Sequence, residues 1–304
     1  MTPALALLAL ALQSAPAPAA PALDQLWLLR AGDEACTFLD GPHRALLDAA
    51  IARARDDQVR SGMEPARLDR ARRRFDAASA SDCADADLRR MASDHRARVA
   101  GLAGYSDLAF PGVSRDWRVD RGPVRAGRAG EPRWRVSQRH GAGQAQFGVF
   151  EQDGAMHVAL AYNGADRPAR AALALRDPAR QAHPLDFTAG GLLAAPDADP
   201  AASWGAGRGA LNRIAASGRL APDTAAHLAP AGGQPARGFV FPDHALQRLT
   251  ALTPREGVAV ELYDRTGQVA QRIWIEIGAL KAALAMQAIA LPEPEPSDPP
   301  QAMP

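Results

Sequence analysis

The spacing of apolar residues changes period once along this chain, and that change dictates its fold class. Between residues 41 and 102, Leu47, Ile51 and Ala54, then Leu68, Ala71, Phe75 and Ala78, then Leu88, Met91, Val99 and Leu102 recur at three- and four-residue steps. This is the repeat of amphipathic helices. Asp40-Gly41-Pro42 and Glu64-Pro65 read as helix starts and Gly62 as a stop. The third helix, from Ser81 or Asp82, carries its acids early and its arginines late, as the helix dipole favours. "YSDLAFPGV" at 105–113 then breaks the pattern with Pro111-Gly112.

Downstream the repeat becomes two. Segments 116–119, 133–138, 144–152, 155–162 and 170–176 read as strands, with Asp153-Gly154 as a tight hairpin turn. No helix-length segment separates them, so the sheet is antiparallel and not built of βαβ units. Residues 177–236 are rich in Gly, Ala and Pro and read as long loops around a short strand at 185–188 and a short helix near 209–217. "GFVF" (238–241), a helix from 242 or 243 to 252, and a hairpin of 258–264 with 268–278 follow. Val258, Val260 and Leu262 face the core against Val269, Ile273, Ile275 and Ile277, with Arg272, Trp274 and Glu276 on the opposite face, which the last helix, "ALKAALAMQAIAL", is expected to cover.

The expected fold is therefore α+β: an N-terminal disulfide-tied helical segment followed by an antiparallel β-sandwich or barrel-like domain with a C-terminal helix. The divisions fall at 1–22 (export signal), 23–110 (helical), 111–291 (β-rich) and 292–304 (a disordered, Pro-rich tail). The export signal rests on an uncharged apolar run from Ala4 to Leu12, too short to span a bilayer, ahead of Ala-x-Ala sites that place cleavage after Ala19 or Ala22. No later stretch reaches the ~18 apolar residues of a membrane helix. The expected location is periplasmic or secreted.

Export decides how the two cysteines are read. Cys36 and Cys83 each precede or open a helix, where a thiol can become reactive. In an oxidising compartment, however, an even number of cysteines is usually paired. With no CxxC and no nearby His, they also make a poor zinc site. A disulfide is expected. His95 lies on the apolar stripe of its helix without a second ligand at helical spacing, and reads as a core or boundary histidine.

Net charge is +1, which speaks against nucleic acid as a partner. No GxSxG, HExxH, P-loop or SxxK occurs, and the seven histidines are dispersed, so no catalytic residue, metal ligand or cofactor is assigned. "GAGRGA" (205–210) follows Asp197, Asp199 and Pro200 where a dinucleotide site needs an apolar strand, and reads as a turn. The densest binding signal is the Arg-rich segment 115–139. Alternation along "RWRVSQ" puts Arg133 and Arg135 on one face with Trp134 packed inward beside Val136, so that Arg133, Arg135 and Arg118 form a candidate anion-binding stripe.

"RIWIEIGALKAAL" (272–284) resembles the final strand and following helix of small exported β-sandwich proteins of the invasion-associated locus B type. The resemblance covers a short C-terminal part of the chain; it implies a sandwich and carries no functional residues. The function expected is that of an exported cell-envelope accessory or binding protein without enzymatic activity. An acidic glycan, a lipid headgroup or a protein of the envelope would be its partner, and the sequence assigns no oligomeric state. The alternative is an envelope hydrolase whose site is assembled from loops of the β-rich domain, with Asp186 and either His157 or His183 as base.

Overall fold

The computed structural model describes residues 22–78, 83–123, 130–164, 167–188, 199–231 and 235–291. All but the last residue of the expected export signal (1–22), and the expected tail 292–304, lie outside the described residues.

Four helices open the fold: α1 (Leu23–Cys36), α2 (Gly41–Arg60), α3 (Pro65–Ala78) and α4 (Ala86–Ala103). Asp40 caps α2 by accepting the His43 N–H at 3.0 Å, and Asp85 caps α4 through the N–H groups of Asp87 and Leu88. The sequence-based expectation had no helix at α1. Leu26, Trp27 and Leu29 of α1 are nonetheless buried, and with Leu47, Ile51, Leu68 and Ala92 they form a core of their own. Cys36 and Cys83 are bonded, with Cα atoms 5.5 Å apart across 47 residues. Cys36 closes α1 and does not open a helix, so the bond ties the end of α1 to the approach to α4. The pairing is consistent with an oxidising, extracytoplasmic compartment.

The strands β1 (Asp107–Phe110), β2 (Trp117–Asp120), β3 (Arg133–His140), β4 (Ala145–Gln152) and β5 (Ala155–Asn163) run as an antiparallel meander. Asp153 and Gly154, at φ 51° and 77°, make the expected tight turn between β4 and β5. Because β1 pairs along its length with β2, helix gives way to sheet just before Asp107. β6 (Arg170–Arg176) leaves this sheet. It joins a four-stranded sheet with β9 (Leu211–Ala215), β12 (Gly257–Tyr263) and β13 (Val269–Glu276), in the order β13-β12-β6-β9. β10 (Gly218–Arg219) and β11 (Ala236–Phe241) extend the meander to seven strands beyond β5, while β7 (Leu185–Asp186) and β8 (Trp204–Gly205) pair only with each other. The helix expected near 209–217 is instead strand β9, whose Ile214 is buried against β6.

The two sheets face one another across one core. Trp117, Val136, Phe147 and Leu160 meet Leu173, Val258, Val260 and Ile275, all essentially inaccessible, which makes the β-rich part an antiparallel sandwich. Short helices close its sides: α5 (Pro222–Leu228) lies on the outer face of the large sheet, and α6 (His244–Thr250) inserts Ala245 and Leu249 into the core. The last helix, α7 (Leu280–Gln287), does not cover the outer face of the hairpin as expected. It packs against β1–β3 and α2, burying Leu280 and Ala283 in the sandwich core and Ala285 and Met286 against Leu46 and Val99. Asp56 of α2 completes the junction by accepting the Arg255 N–H at 2.8 Å.

Breaking the disulfide releases a long loop in the unfolded chain. On the chain-entropy relation, Cys36→Ala/Cys83→Ala is expected to lose about 4 kcal/mol of unfolding free energy. Urea unfolding of the oxidised protein and the double variant measures this, and equal midpoints would contradict a structural role for the bond.

Candidate functional site

The Arg-rich segment departs from simple alternation at one point. β3 pairs Trp134 with Phe150 and then Val136 with Val149, leaving Arg135 as the extra residue of a bulge. The slip sends Trp134 to the outer face of the large sheet, where its indole N–H donates to the Leu228 carbonyl at 2.7 Å and its ring meets Phe150 edge-on. Val136 stays in the sandwich core. The inward packing of Trp134 beside Val136 is thus corrected: the bulge puts them on opposite faces. Arg133 and Arg135 both turn to Glu151, and they also bond the carbonyls of Pro123 and of Asp120 and Gly122. Arg118, on β2 opposite Ser137, is exposed. Two of the three stripe residues therefore spend their charge inside the protein.

Of the residues named for the hydrolase alternative, Asp186 lies on β7, His183 just ahead of it and His157 on β5. Asp186 holds the turn at Thr188 through its N–H and hydroxyl, at 2.9 and 2.5 Å. His157 stacks on Phe150 from β5, and His183 is exposed on the approach to β7.

A different set of groups converges around β13, the edge strand of the small sheet. Its last residue, Glu276, is buried, and its carboxylate accepts the backbone N–H groups of Val113, Ser114 (2.9 Å) and Arg115 (3.2 Å) together with the Ser114 hydroxyl. Gly112 is required beside it, because a Cβ there would overlap the Arg115 carbonyl and crowd the carboxylate. The main chain of Glu276 is bound as well. Gln138 of β3 accepts its N–H at 2.9 Å and donates to its carbonyl at 3.2 Å, and Trp117 donates to the same carbonyl at 2.9 Å. A glutamine side chain thus takes the place of a neighbouring strand at this edge.

The clamped strap delivers Arg115 to Asp199 in a two-pronged ion pair, at 2.8 and 2.5 Å. Burial alone would raise the Asp199 pKa, but the bonds from Arg115 and the Ala201 N–H hold it below the ordinary carboxylate value. Beside this pair lies His140, at the end of β3 and 3 % exposed. Burial, helped by the charge of Arg115, pushes its pKa down to about 3 against the opposing pull of Asp199 and the Trp274 backbone. Neither ring nitrogen makes a hydrogen bond of normal geometry among the described residues.

These groups line a cavity of about 380 Å³ that Tyr162, Gln144, Arg272 and Trp274 complete. A second cavity of about 370 Å³ shares Tyr162 and Gln271 with the first and continues past Arg167 and Arg265. Together they form a trough along β13. Its acids are engaged: Asp199 with Arg115, and Asp264 with the turn at Thr266 and Gln268. Arg167 and Arg265 are exposed and make no ion pair or hydrogen bond among the described residues, so the trough carries excess positive charge. No group of metal-ligating side chains occurs among the described residues, nor is any helix there long and apolar enough to cross a membrane.

Apart from Arg115, which opens the Arg-rich segment 115–139, sequence reasoning assigned none of these residues to a site. Arg115, Asp199, His140 and Trp274 come from four distant segments with no shared spacing. The one local hint was His140 followed by Gly141 and Gly143, both at positive φ, which turn the chain sharply at the trough. Compared with known proteins, the chain matches no family model, no curated protein and no solved structure.

Two measurements probe this arrangement. Glu276→Gln turns an amide NH₂ toward backbone donors and is expected to destabilise the protein by about 1–3 kcal/mol in chemical unfolding; an unchanged midpoint would show that the strap does not depend on the carboxylate. His140 is held neutral in the folded state, whereas its unfolded counterpart takes up a proton near the ordinary value of 6.5. Its contribution to stability is therefore full above pH 6.5 and drains as pH falls from there toward 3. His140→Gln should show a smaller loss of stability between pH 7 and pH 4 than the parent, and parallel losses would count against the assignment.

Proposed function

We propose that this chain is a non-enzymatic, exported binding protein of the cell envelope, and that the trough along β13 takes an acidic glycan. The observation that carries the reading is the coexistence, along two adjoining cavities, of two unengaged arginines with the half-buried Trp274 and the edge of the buried Tyr162. Aromatic rings that combine an apolar body with a polar tip suit the alternating apolar and hydroxylated surface of a sugar chain. Arg167 and Arg265 supply charge for carboxylate or sulfate substituents, and the length of the trough favours a linear ligand over a compact one.

The same cleft is poorly equipped for hydrolysis. A general base works best with a pKa near the working pH and a hydrogen bond to an orienting partner. His140 has neither, and Asp199 is committed to Arg115.

Calorimetric titration with a uronic-acid oligosaccharide and its neutral counterpart tests the proposal. Binding of the acidic sugar should weaken steeply with added salt and fall by about tenfold or more, over 1.4 kcal/mol, in Arg167→Glu and in Trp274→Ala. Equal affinity for the neutral sugar would overturn the acidic specificity. Cleaved products in the mass spectrum after incubation would overturn the non-enzymatic reading.

A further inference from the structure

A third cavity, of about 280 Å³, lies at the junction between the helical segment and the sandwich. Its walls are apolar: Leu26 of α1, Leu46 and Ala49 of α2, Val99 of α4, Phe110 of β1 and Ala282 of α7. Cations stand around it. Arg53 is tied to the Pro111 carbonyl, whereas Arg98 is exposed and makes no ion pair or hydrogen bond among the described residues. His95 spends its Nε2 on the His43 carbonyl at 3.0 Å, and burial lowers its pKa.

The informative group is Lys281, the only lysine in the chain. It sits in the first turn of α7, is partly buried at the wall of this cavity, and makes no hydrogen bond or ion pair among the described residues. Asp56, Glu256 and Asp48 are the carboxylates near enough to feel its charge. Asp56 already receives the Arg255 N–H, Glu256 is locked to Arg176 at 2.6 and 2.7 Å, and Asp48 holds Arg30 at 2.7 Å. Burial accordingly lowers the Lys281 pKa, the cost of an ammonium left without a close counter-ion.

An apolar channel beside an unpaired ammonium is complementary to an amphiphile with one hydrocarbon chain and one negative charge. We infer that this cavity binds a free long-chain fatty acid, with its chain between α2, α4 and α7 and its carboxylate on Lys281, assisted by Arg98. The volume lies just below the ~300–1,000 Å³ range of small-molecule sites, which fits one chain and not the two of a diacyl lipid. The site is separate from the trough along β13 and shares no lining residue with it.

The full-length protein is titrated with dodecanoic acid, dodecanol and a lysophospholipid of the same chain length, by displacement of a fluorescent fatty acid. The acid should bind at least about tenfold more tightly than the alcohol, and Lys281→Met should erase that difference while leaving the alcohol's affinity unchanged. Leu102→Asp, at an exposed position on the lining, should weaken the acid further without disturbing the fold. Far-ultraviolet circular dichroism verifies folding of both variants, and Trp274→Ala should leave fatty-acid binding intact. Failure of the acid to displace the probe, equal affinity for acid and alcohol, or tighter binding of the lysophospholipid would each overturn the proposal.

Discussion

The cross-sheet bonds of Glu276 hold this structure's functional geometry together. Its carboxylate collects three backbone N–H groups from the strap at 113–115, and its main chain is gripped by Gln138 and Trp117 of the facing sheet. A buried carboxylate is costly unless donors surround it, and here they come from a segment with no secondary structure of its own to satisfy them. One residue thereby answers three needs: its carboxylate fixes the strap and sets Arg115 opposite Asp199, while its main chain, held by Gln138 and Trp117, closes the edge of β13. The trough along β13 inherits its shape from that arrangement.

The junction between the helical segment and the sandwich follows a similar economy of polar groups. Arg176 and Glu256 pair bidentately with both side chains about 1 % exposed, and Asp56 reaches from α2 to the backbone of Arg255. Such buried pairs are weak sources of stability, because desolvation offsets much of their attraction. They do specify geometry, since either partner left alone would be penalised. Around them, α7 acts as a shared wedge: its one side belongs to the sandwich core and its other to the contact with α2 and α4.

The sequence made the fold class legible because both periodicities are clean. Most of the stripe residues of α2 and α4 and the apolar face Val158, Leu160 and Tyr162 of β5 reappear buried, as do Ile273 and Ile275 of β13, and the Asp153-Gly154 turn sits where its φ preferences require. Several features escaped, among them the placement of α7 and the helix α5 within the segment read as loops. Helix α1 lies directly after the apolar leader and was absorbed into its hydrophobicity. Strand β9 carries two large apolar residues, Leu211 and Ile214, three positions apart, a spacing that reads as helical and not as alternation. The β3 bulge reverses alternation at Arg135, which no periodicity argument detects; it turns on Gly148, where a Cβ would overlap the Val136 carbonyl. The site was less visible still, since the residues around β13 are brought together by sheet stacking and by one strap, and neither leaves a spacing in the chain. The cysteine pair was readable because its inference needed only a compartment and a count.

The covalent tie between α1 and the approach to α4 has a further bearing on the apolar cavity. Leu26 and Val99, on those two helices, stand on its walls, so the separation between them is governed by a link made only after synthesis. A newly made chain with both thiols reduced holds that wall by side-chain packing alone. Reduction of the bond would therefore act on that wall from a distance, since neither cysteine lines the cavity.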